Sequence, residues 1–129
     1  MDLGLRGKRL QSLLIEYSIR MQLSDVYFAL IASPFTLDRH GKVFTISPED
    51  DPDEAFEPIR QLVGQQVEDA RATPSGGLEM VFEDGSRLQV APDEAHEAWN
   101  VSGPDGALVV SMPGGELAIW SPQTDPDQT

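Results

Sequence analysis

The sequence has no cysteine, only two histidines and only nine basic residues among its 129 positions. The lack of a thiol excludes a disulfide scaffold, a thiolate zinc site, an iron–sulfur cluster and a cysteine nucleophile. Because 22 acidic residues outnumber the basic ones, the formal net charge is −13. Phosphate binding depends on Lys and Arg, so this charge argues against a nucleic-acid partner.

Long apolar runs are also missing. The most apolar N-terminal stretch, residues 13–15, is followed at once by Glu16 and then Arg20. The sequence therefore predicts neither an export signal nor a membrane span, and we expect a cytoplasmic protein without a membrane partner. Its length and its 40% hydrophobic content predict a single domain over residues 1–120. We expect the polar stretch 121–129 to be a mobile tail.

The acidic residues are concentrated beyond residue 47. Residues 1–47 carry six basic and four acidic side chains, whereas residues 48–129 carry three basic and 18 acidic ones. The formal charges are +2 and −15. Such an imbalance favours solubility and the long-range attraction of a basic partner, but it does not determine the fold.

Alternation of apolar and polar residues predicts that most of the chain forms β-strands. It runs through Gln11–Gln22 as one stretch, and an almost continuously apolar stretch over 26–32 predicts a central strand. Further strands are predicted at 44–46, 66–72, 77–82, 87–91, 99–102, 107–112 and 116–120. The Gly-containing turns between them predict an antiparallel meander over about the last 50 residues. The fold class is mainly β (α+β), in a meander, two-layer or roll arrangement.

One short helix interrupts this pattern. Apolar residues between Ala55 and Val63 recur at spacings of three and four, acidic residues precede them and Gly64 follows. Acids near a helix N-terminus and Gly just past its end are both favourable. Because Pro58 allows a helix only within its first turn, the pattern predicts a short helix within residues 53–63.

Two segments recur with a similar spacing. Leu5-x-Gly7-x-x-Leu10 is followed 57 residues later by Leu62-x-Gly64-x-x-Val67, and Leu30-x-Ala32-x-Pro34 matches residues 88–92 at a shift of 58. A rival alignment matches 41–48 with 85–92 at a shift of 44. Either the chain contains a duplicated β unit, or segments of turn, strand and Pro resemble one another by chance.

Catalytic motifs are absent. The sequence contains no HExxH, GxSxG, GxGxxG or Walker pattern, so it indicates no catalytic residue, no metal site and no cofactor. Asp93, Glu94, His96 and Glu97 carry groups that suit a divalent cation or carboxylate chemistry. A solvated acidic bend is the commoner structure for such a cluster.

Two acidic segments and one tryptophan are the candidate partner-binding residues. They are Glu49, Asp50, Asp51, Asp53, Glu54, Asp93, Glu94, Glu97 and Trp120. We expect Trp99 and Trp120 to lie in the core, because large aromatics dominate burial. If Trp120 is exposed, it becomes the leading contact residue, since interface hot spots are rich in Trp.

Four spaced segments resemble a family of small bacterial proteins that is classified only as a domain of unknown function. They are the SPFTL stretch at 33–37, FxDGxxLxVxP at 82–92, EAWxVxGP at 97–104 and PGGELAxW at 113–120. The resemblance covers nearly the whole chain except the tail. It implies a β-rich bacterial domain and carries over no catalytic residue.

These observations favour a non-catalytic protein-binding module over an enzyme. One form would be an immunity-type inhibitor whose acidic segments bind a basic partner. The alternative is a small carboxylate-based enzyme, or a ligand- or metal-binding domain, that uses Glu94, His96 and Glu97. The oligomeric state stays open, because the strand at 116–120 offers an edge for self-pairing while the net charge opposes it.

Overall fold

Within residues 1–122, which the computed structural model describes, the chain forms eleven strands and one short helical segment. The strands are β1 (Leu10–Ile15), β2 (Ile19–Leu23), β3 (Tyr27–Ile31), β4 (Phe35–Arg39), β5 (Lys42–Ile46), β6 (Val67–Ala72), β7 (Leu78–Phe82), β8 (Arg87–Val90), β9 (Trp99–Ser102), β10 (Leu108–Ser111) and β11 (Leu117–Trp120). A 3₁₀ turn, Asp53–Phe56, continues into the helix α1, Glu57–Arg60. Pro58 lies in the first turn of α1, where its missing N–H costs no helical bond.

The strands form two antiparallel sheets, as the alternation predicted. One sheet has the order β1-β2-β3-β9-β10-β11, and the other has the order β5-β4-β8-β7-β6. The mainly β fold and the short helix within 53–63 are therefore confirmed. Part of the predicted tail, residues 123–129, lies outside the described residues.

The structure corrects three details of the strand prediction. The alternating run 11–22 forms two strands joined at residues 16–18, and Leu13 pairs with Met21. Because the hairpin keeps these apolar residues on one face, a period of two does not distinguish it from a single strand. Strand β4 was not predicted. The last strands are not one meander, since β8 and β9 belong to different sheets.

The two halves of the chain share one topology. In each half the first three strands pair in chain order, as β1-β2-β3 and as β6-β7-β8. The fourth strand of each half joins the other sheet: β4 pairs with β8, and β9 pairs with β3. Thus β9 and β10 extend the first sheet, while β4 and β5 extend the second. The register shifts also match: one lies between Leu10 and Ser12, the other between Val67 and Asp69. Strand β11 alone has no counterpart.

Hydrogen bonds between the repeated LxGxxL and LxGxxV segments follow the same symmetry. The N–H of Gly7 donates to the carbonyl of Val67, and that of Gly64 donates to the carbonyl of Leu10, each at 2.8 Å. Both glycines have positive φ, which explains why both copies of the segment contain Gly. The shift of 57 residues therefore supports a duplicated unit. The match at a shift of 58 is off by one residue, because the register makes Ile31 equivalent to Val90, 59 positions later. The rival shift of 44 matches β5 with β8, which are not topologically equivalent.

The core lies between the sheets and is closed at one end by the turn between β6 and β7. The Trp99 Nε1–H and the Ser111 hydroxyl both donate to the carbonyl of Gly76, at 3.1 and 2.8 Å. This turn also contacts the β10–β11 turn so closely that a Cβ on Gly76 would lie 1.9 Å from the Gly115 oxygen. The inner face is consequently covered near Leu117, which packs against the core.

Candidate functional site

A row of apolar side chains crosses the core face of the six-stranded sheet. The row is buried up to β10 and exposed to solvent at β11. The row consists of the register partners Met21, Ala29, Val101, Val109 and Ile119. Val109 is 9% exposed and its neighbour Ile119 is 53% exposed. Ile119 thus lies on the core face but is open to solvent.

A groove of about 440 Å³ opens beside Ile119. Its walls are the N-terminal segment 1–4, the turn 103–105, the side chain of Tyr27 and the end of β11. The lining includes two carboxylates, Asp2 and Asp105, and no Lys or Arg. The Lys8 Nζ lies 4.5 Å from the centre of the Tyr27 ring, so one positive charge is close to this wall. We call this cavity the β11 groove.

Trp120 lies at the rim of the β11 groove, and its side chain is 50% exposed. The expectation that both tryptophans lie in the core is confirmed for Trp99 and wrong for Trp120. Successive strand residues point to opposite faces, so Trp120 shares the outer face with its register partner Leu108. Strand β11 therefore presents a large apolar side chain on each face.

The matching position in the other half also has a cavity, but most of the residues that line it are charged or polar. Its volume is about 400 Å³, and its lining residues are Arg39, His40, Lys42, Phe44, Glu54, Glu57, Pro58 and Gln61. Phe44 of β5 corresponds to Val109 of β10, and the segment 58–61 corresponds to 1–4. The two equivalent cavities therefore differ in the residues that line them, and we call the one beside α1 the polar cavity.

A model of a family of unknown function, DUF6188, matches residues 1–121. The chain belongs to this family. The match extends over both halves of the DUF6188 chain and over β11, and it confirms the resemblance to a domain of unknown function. No curated protein and no solved structure matches the chain. In residues 1–122, no helix has the length and apolar character needed to cross a membrane.

The polar cavity of this DUF6188 protein lies beside a network centred on Asp84. The Asp84 carboxylate accepts hydrogen bonds from Arg39 Nη2 at 3.0 Å, Gln65 Nε2 at 2.9 Å and the Ser86 N–H at 2.8 Å. Burial raises the pKa of Asp84, but these hydrogen bonds outweigh burial and hold the pKa well below its ordinary value. Arg39 also donates to Gln61 Oε1 at 2.7 Å, so the network fixes the end of α1 to the five-stranded sheet.

Sequence reasoning missed this network. Asp84 lies in one of the Gly-containing turns, and the sequence pattern indicated only a turn there; Arg39 lies at the end of β4, a strand that was not predicted. Two residues 45 positions apart carry no local signal of an ion pair. Because three donors converge on the Asp84 carboxylate and one of them, Arg39, also bonds Gln61 at the end of α1, we interpret Asp84 as a structural brace.

The first acidic segment is partly engaged by the fold. The Asp51 carboxylate accepts from the Ser47 N–H at 2.7 Å, and Asp50 accepts from the Ser47 hydroxyl at 3.2 Å. Asp53 pairs with Arg60. Glu49 and Glu54 are exposed, and Glu54 lines the polar cavity.

The second acidic segment lies on the loop between β8 and β9. The side chains of Glu94, His96 and Glu97 are exposed. The N–H of Ala95 donates to Asp93 at 2.7 Å, which together with the His96 N–H lowers the pKa of Asp93. In residues 1–122, no group of three or more His, Asp or Glu side chains is arranged to hold a metal ion.

The structure brings only one of the two acidic segments near Trp120's strand. The carbonyl of Asp93 accepts from the Gly114 N–H at 2.8 Å, so the 93–97 loop lies beside the turn that starts β11. No hydrogen bond or ion pair in the described part of the chain joins it to the 49–54 segment. The candidate site therefore consists of β11, the groove at its end and the acidic loop at its start.

Proposed function

We propose that this DUF6188 protein is a non-catalytic protein-binding module whose partner is basic, for example as an immunity-type inhibitor. The observation that carries the proposal is the exposure of Ile119 on the core face of the sheet, beside the half-exposed Trp120. Apolar groups left open next to a groove are typical of interaction sites. Aromatic side chains at such sites contribute a large share of binding energy.

The charges around β11 support a basic partner. Asp2 and Asp105 line the β11 groove, and Glu116 and the 93–97 loop lie at the other end of the strand. Residues 48–129 carry a formal charge of −15 in total. A negative surface attracts a positive one over a distance of about 8 Å at physiological ionic strength, and it increases the association rate.

Two carboxylates of the chain are poorly suited to general acid–base catalysis at neutral pH. The two aspartates with a lowered pKa, Asp84 and Asp93, are each held by hydrogen-bond donors of their own chain. General acid–base catalysis at neutral pH requires a pKa near 7, which is the opposite shift for a carboxyl group. Neither residue lines the β11 groove.

The proposal is tested by affinity capture with four forms of the full chain, each immobilised and exposed to extract of the organism that encodes it. The forms are the wild type, Trp120→Ala, Ile119→Asp and a control, Val43→Ala. Val43 is 61% exposed on β5, an edge strand of the other sheet. Truncation of a central Trp costs about 2 kcal/mol of binding energy or more.

We expect the wild type and Val43→Ala to retain the same basic protein at low salt. High salt, Trp120→Ala and Ile119→Asp should each release it. Affinities measured with that purified protein should fall about 30-fold in Trp120→Ala, which follows from about 2 kcal/mol. Retention of no basic protein by the wild type, or equal retention by all four forms, would contradict the proposal.

A further inference from the structure

We infer that the partner supplies an extended segment that adds to the sheet as a strand beside β11. This inference rests on the proposed function and specifies the chemistry of its partner. The added segment carries apolar side chains on one face and Lys or Arg on the other. The apolar side chains enter the β11 groove beside Ile119.

In residues 1–122, the outer edge of β11 has backbone groups without a hydrogen-bond partner. The Met112 N–H donates to the Glu116 carbonyl at 2.8 Å at the start of the hairpin. Since hydrogen-bonded pairs alternate in an antiparallel ladder, the next bonded pairs are Val110 with Ala118 and Leu108 with Trp120. The N–H and C=O groups of Leu117 and Ile119 therefore point away from β10. Within residues 1–122, β11 pairs with β10 alone.

The other three sheet edges are each closed in part by the chain itself. Beside β1, the Leu10 N–H donates to the Gln65 carbonyl. Beside β6, the Leu3 N–H donates to the Ala70 carbonyl. Just past the end of β5, the Ser47 N–H is taken by Asp51, and β5 itself begins with the charged Lys42. Proteins commonly block sheet edges in such ways, or with Lys or Pro.

Strand β11 has none of these protections in the described part of the chain. Its four residues, LAIW, include no charge and no Pro. An unprotected edge beside an apolar groove is the arrangement used for recognition by strand addition, in which backbone bonds provide affinity and pockets for alternate side chains provide specificity. β11 has no counterpart in the first half of the chain. Its sheet is therefore one strand longer than the duplication alone would make it.

The acidic residues near β11 favour Lys or Arg in the added segment. Glu116 alternates with Ala118 and Trp120 and therefore lies on the Trp120 side of the sheet, whereas Asp2 and Asp105 lie in the groove. Alternate side chains of an added strand point to the groove side and to the Trp120 side. Lys or Arg on the Trp120 side would meet an aromatic face, which is a favourable contact for a cation.

The experiment uses the full chain and a short synthetic peptide in which Lys alternates with Ile. Binding is measured by titration calorimetry at low salt, and hydrogen exchange of individual amides is followed by NMR. We expect the peptide to slow exchange of the Leu117 and Ile119 amides at least tenfold, without an equal effect on Val43 or Thr45 of β5. Two control peptides share the length of the probe: one has N-methyl groups on alternate residues, and the other has Glu in place of Lys.

Strand addition requires both backbone bonds and charge, so we expect each control peptide to bind at least tenfold more weakly. Ile119→Lys should weaken binding of the Lys–Ile peptide, and the matched variant Val43→Lys should not. Absence of binding by the Lys–Ile peptide, equal binding of the N-methylated peptide, or unprotected Leu117 and Ile119 amides would overturn the inference. Such a result would leave the affinity capture of a basic partner through Trp120 unaffected. Failure of the strand-addition inference can therefore be distinguished from failure of the proposed function.

Discussion

Gly7 and Gly64 hold equivalent places in the two halves of the molecule. Each donates its N–H to the carbonyl of the residue that lies three positions beyond the other, Val67 or Leu10. The two glycines thus join the halves through a symmetric set of bonds at the point where β1 and β6 begin. Both have positive φ, with space around the position of a Cβ.

Alanine at either glycine should therefore destabilise the fold by a similar amount. We expect Gly7→Ala and Gly64→Ala each to lower the free energy of unfolding by about 1 kcal/mol, because an L-residue pays this cost in a left-handed backbone conformation. Urea denaturation measures the loss. Gly7→Asn is the control and should cost less, since Asn adopts this conformation more readily. A large effect at only one glycine would contradict the equivalence.

Gly76 is restricted by space as well as by conformation. A Cβ there would lie 1.9 Å from the Gly115 carbonyl oxygen, and backbone atoms of a tight turn yield little. We expect Gly76→Ala to lower the free energy of unfolding by more than about 2 kcal/mol. The Gly64→Ala variant, which meets no such obstacle, serves as the comparison. Equal losses in thermal denaturation would show that the two turns are not in close contact.

Asp84 should stabilise the fold through Arg39. The Arg39 and Asp84 side chains are mostly buried, so Asp84→Asn leaves a guanidinium without its counter-charge. We expect a loss of about 3 kcal/mol in the free energy of unfolding at neutral pH. Asp53→Asn breaks the pair with Arg60, in which Asp53 is largely exposed, and should cost less than about 1 kcal/mol. A loss for Asp84→Asn no larger than this control would contradict the assignment as a brace.

The contribution of Asp84 should also depend on pH. Its pKa is lower in the folded chain than in the unfolded one, so its stabilisation is fully present above the unfolded pKa of about 4. That stabilisation is lost as the pH falls through the lower pKa of the folded state. Urea denaturation across acid pH should therefore show the wild type approaching Asp84→Asn. A stability difference that widens on acidification would contradict the sign.

The two tryptophans should report on different environments. Trp99 is fully enclosed and donates to Gly76, whereas Trp120 is half exposed. The variant Trp99→Phe, which keeps only Trp120, should emit at longer wavelength and be quenched by acrylamide several-fold faster than Trp120→Phe. Similar quenching of both variants, with folding verified by circular dichroism, would place Trp120 inside the core.

Local patterns were sufficient to predict most strands, because alternation and Gly-containing turns act over a few residues. The same reasoning predicted the helix within 53–63 and recognised the repeated Leu5 and Leu62 segments. It placed Trp120 wrongly in the core, since the pattern of a strand does not reveal whether a second layer covers it. It also did not anticipate that Ile119 would be exposed while Val109 is buried.

The sequence by itself determined the β-rich class, the negative charge and the absence of the common catalytic motifs, because these follow from composition and from short-range backbone preferences. Tertiary structure alone decided that β3 pairs with β9 and β8 with β4, which exchanges strands between the halves. It also decided that the groove opens beside β11. These features depend on contacts between residues far apart in the chain, and burial at an edge is set by what the rest of the molecule covers.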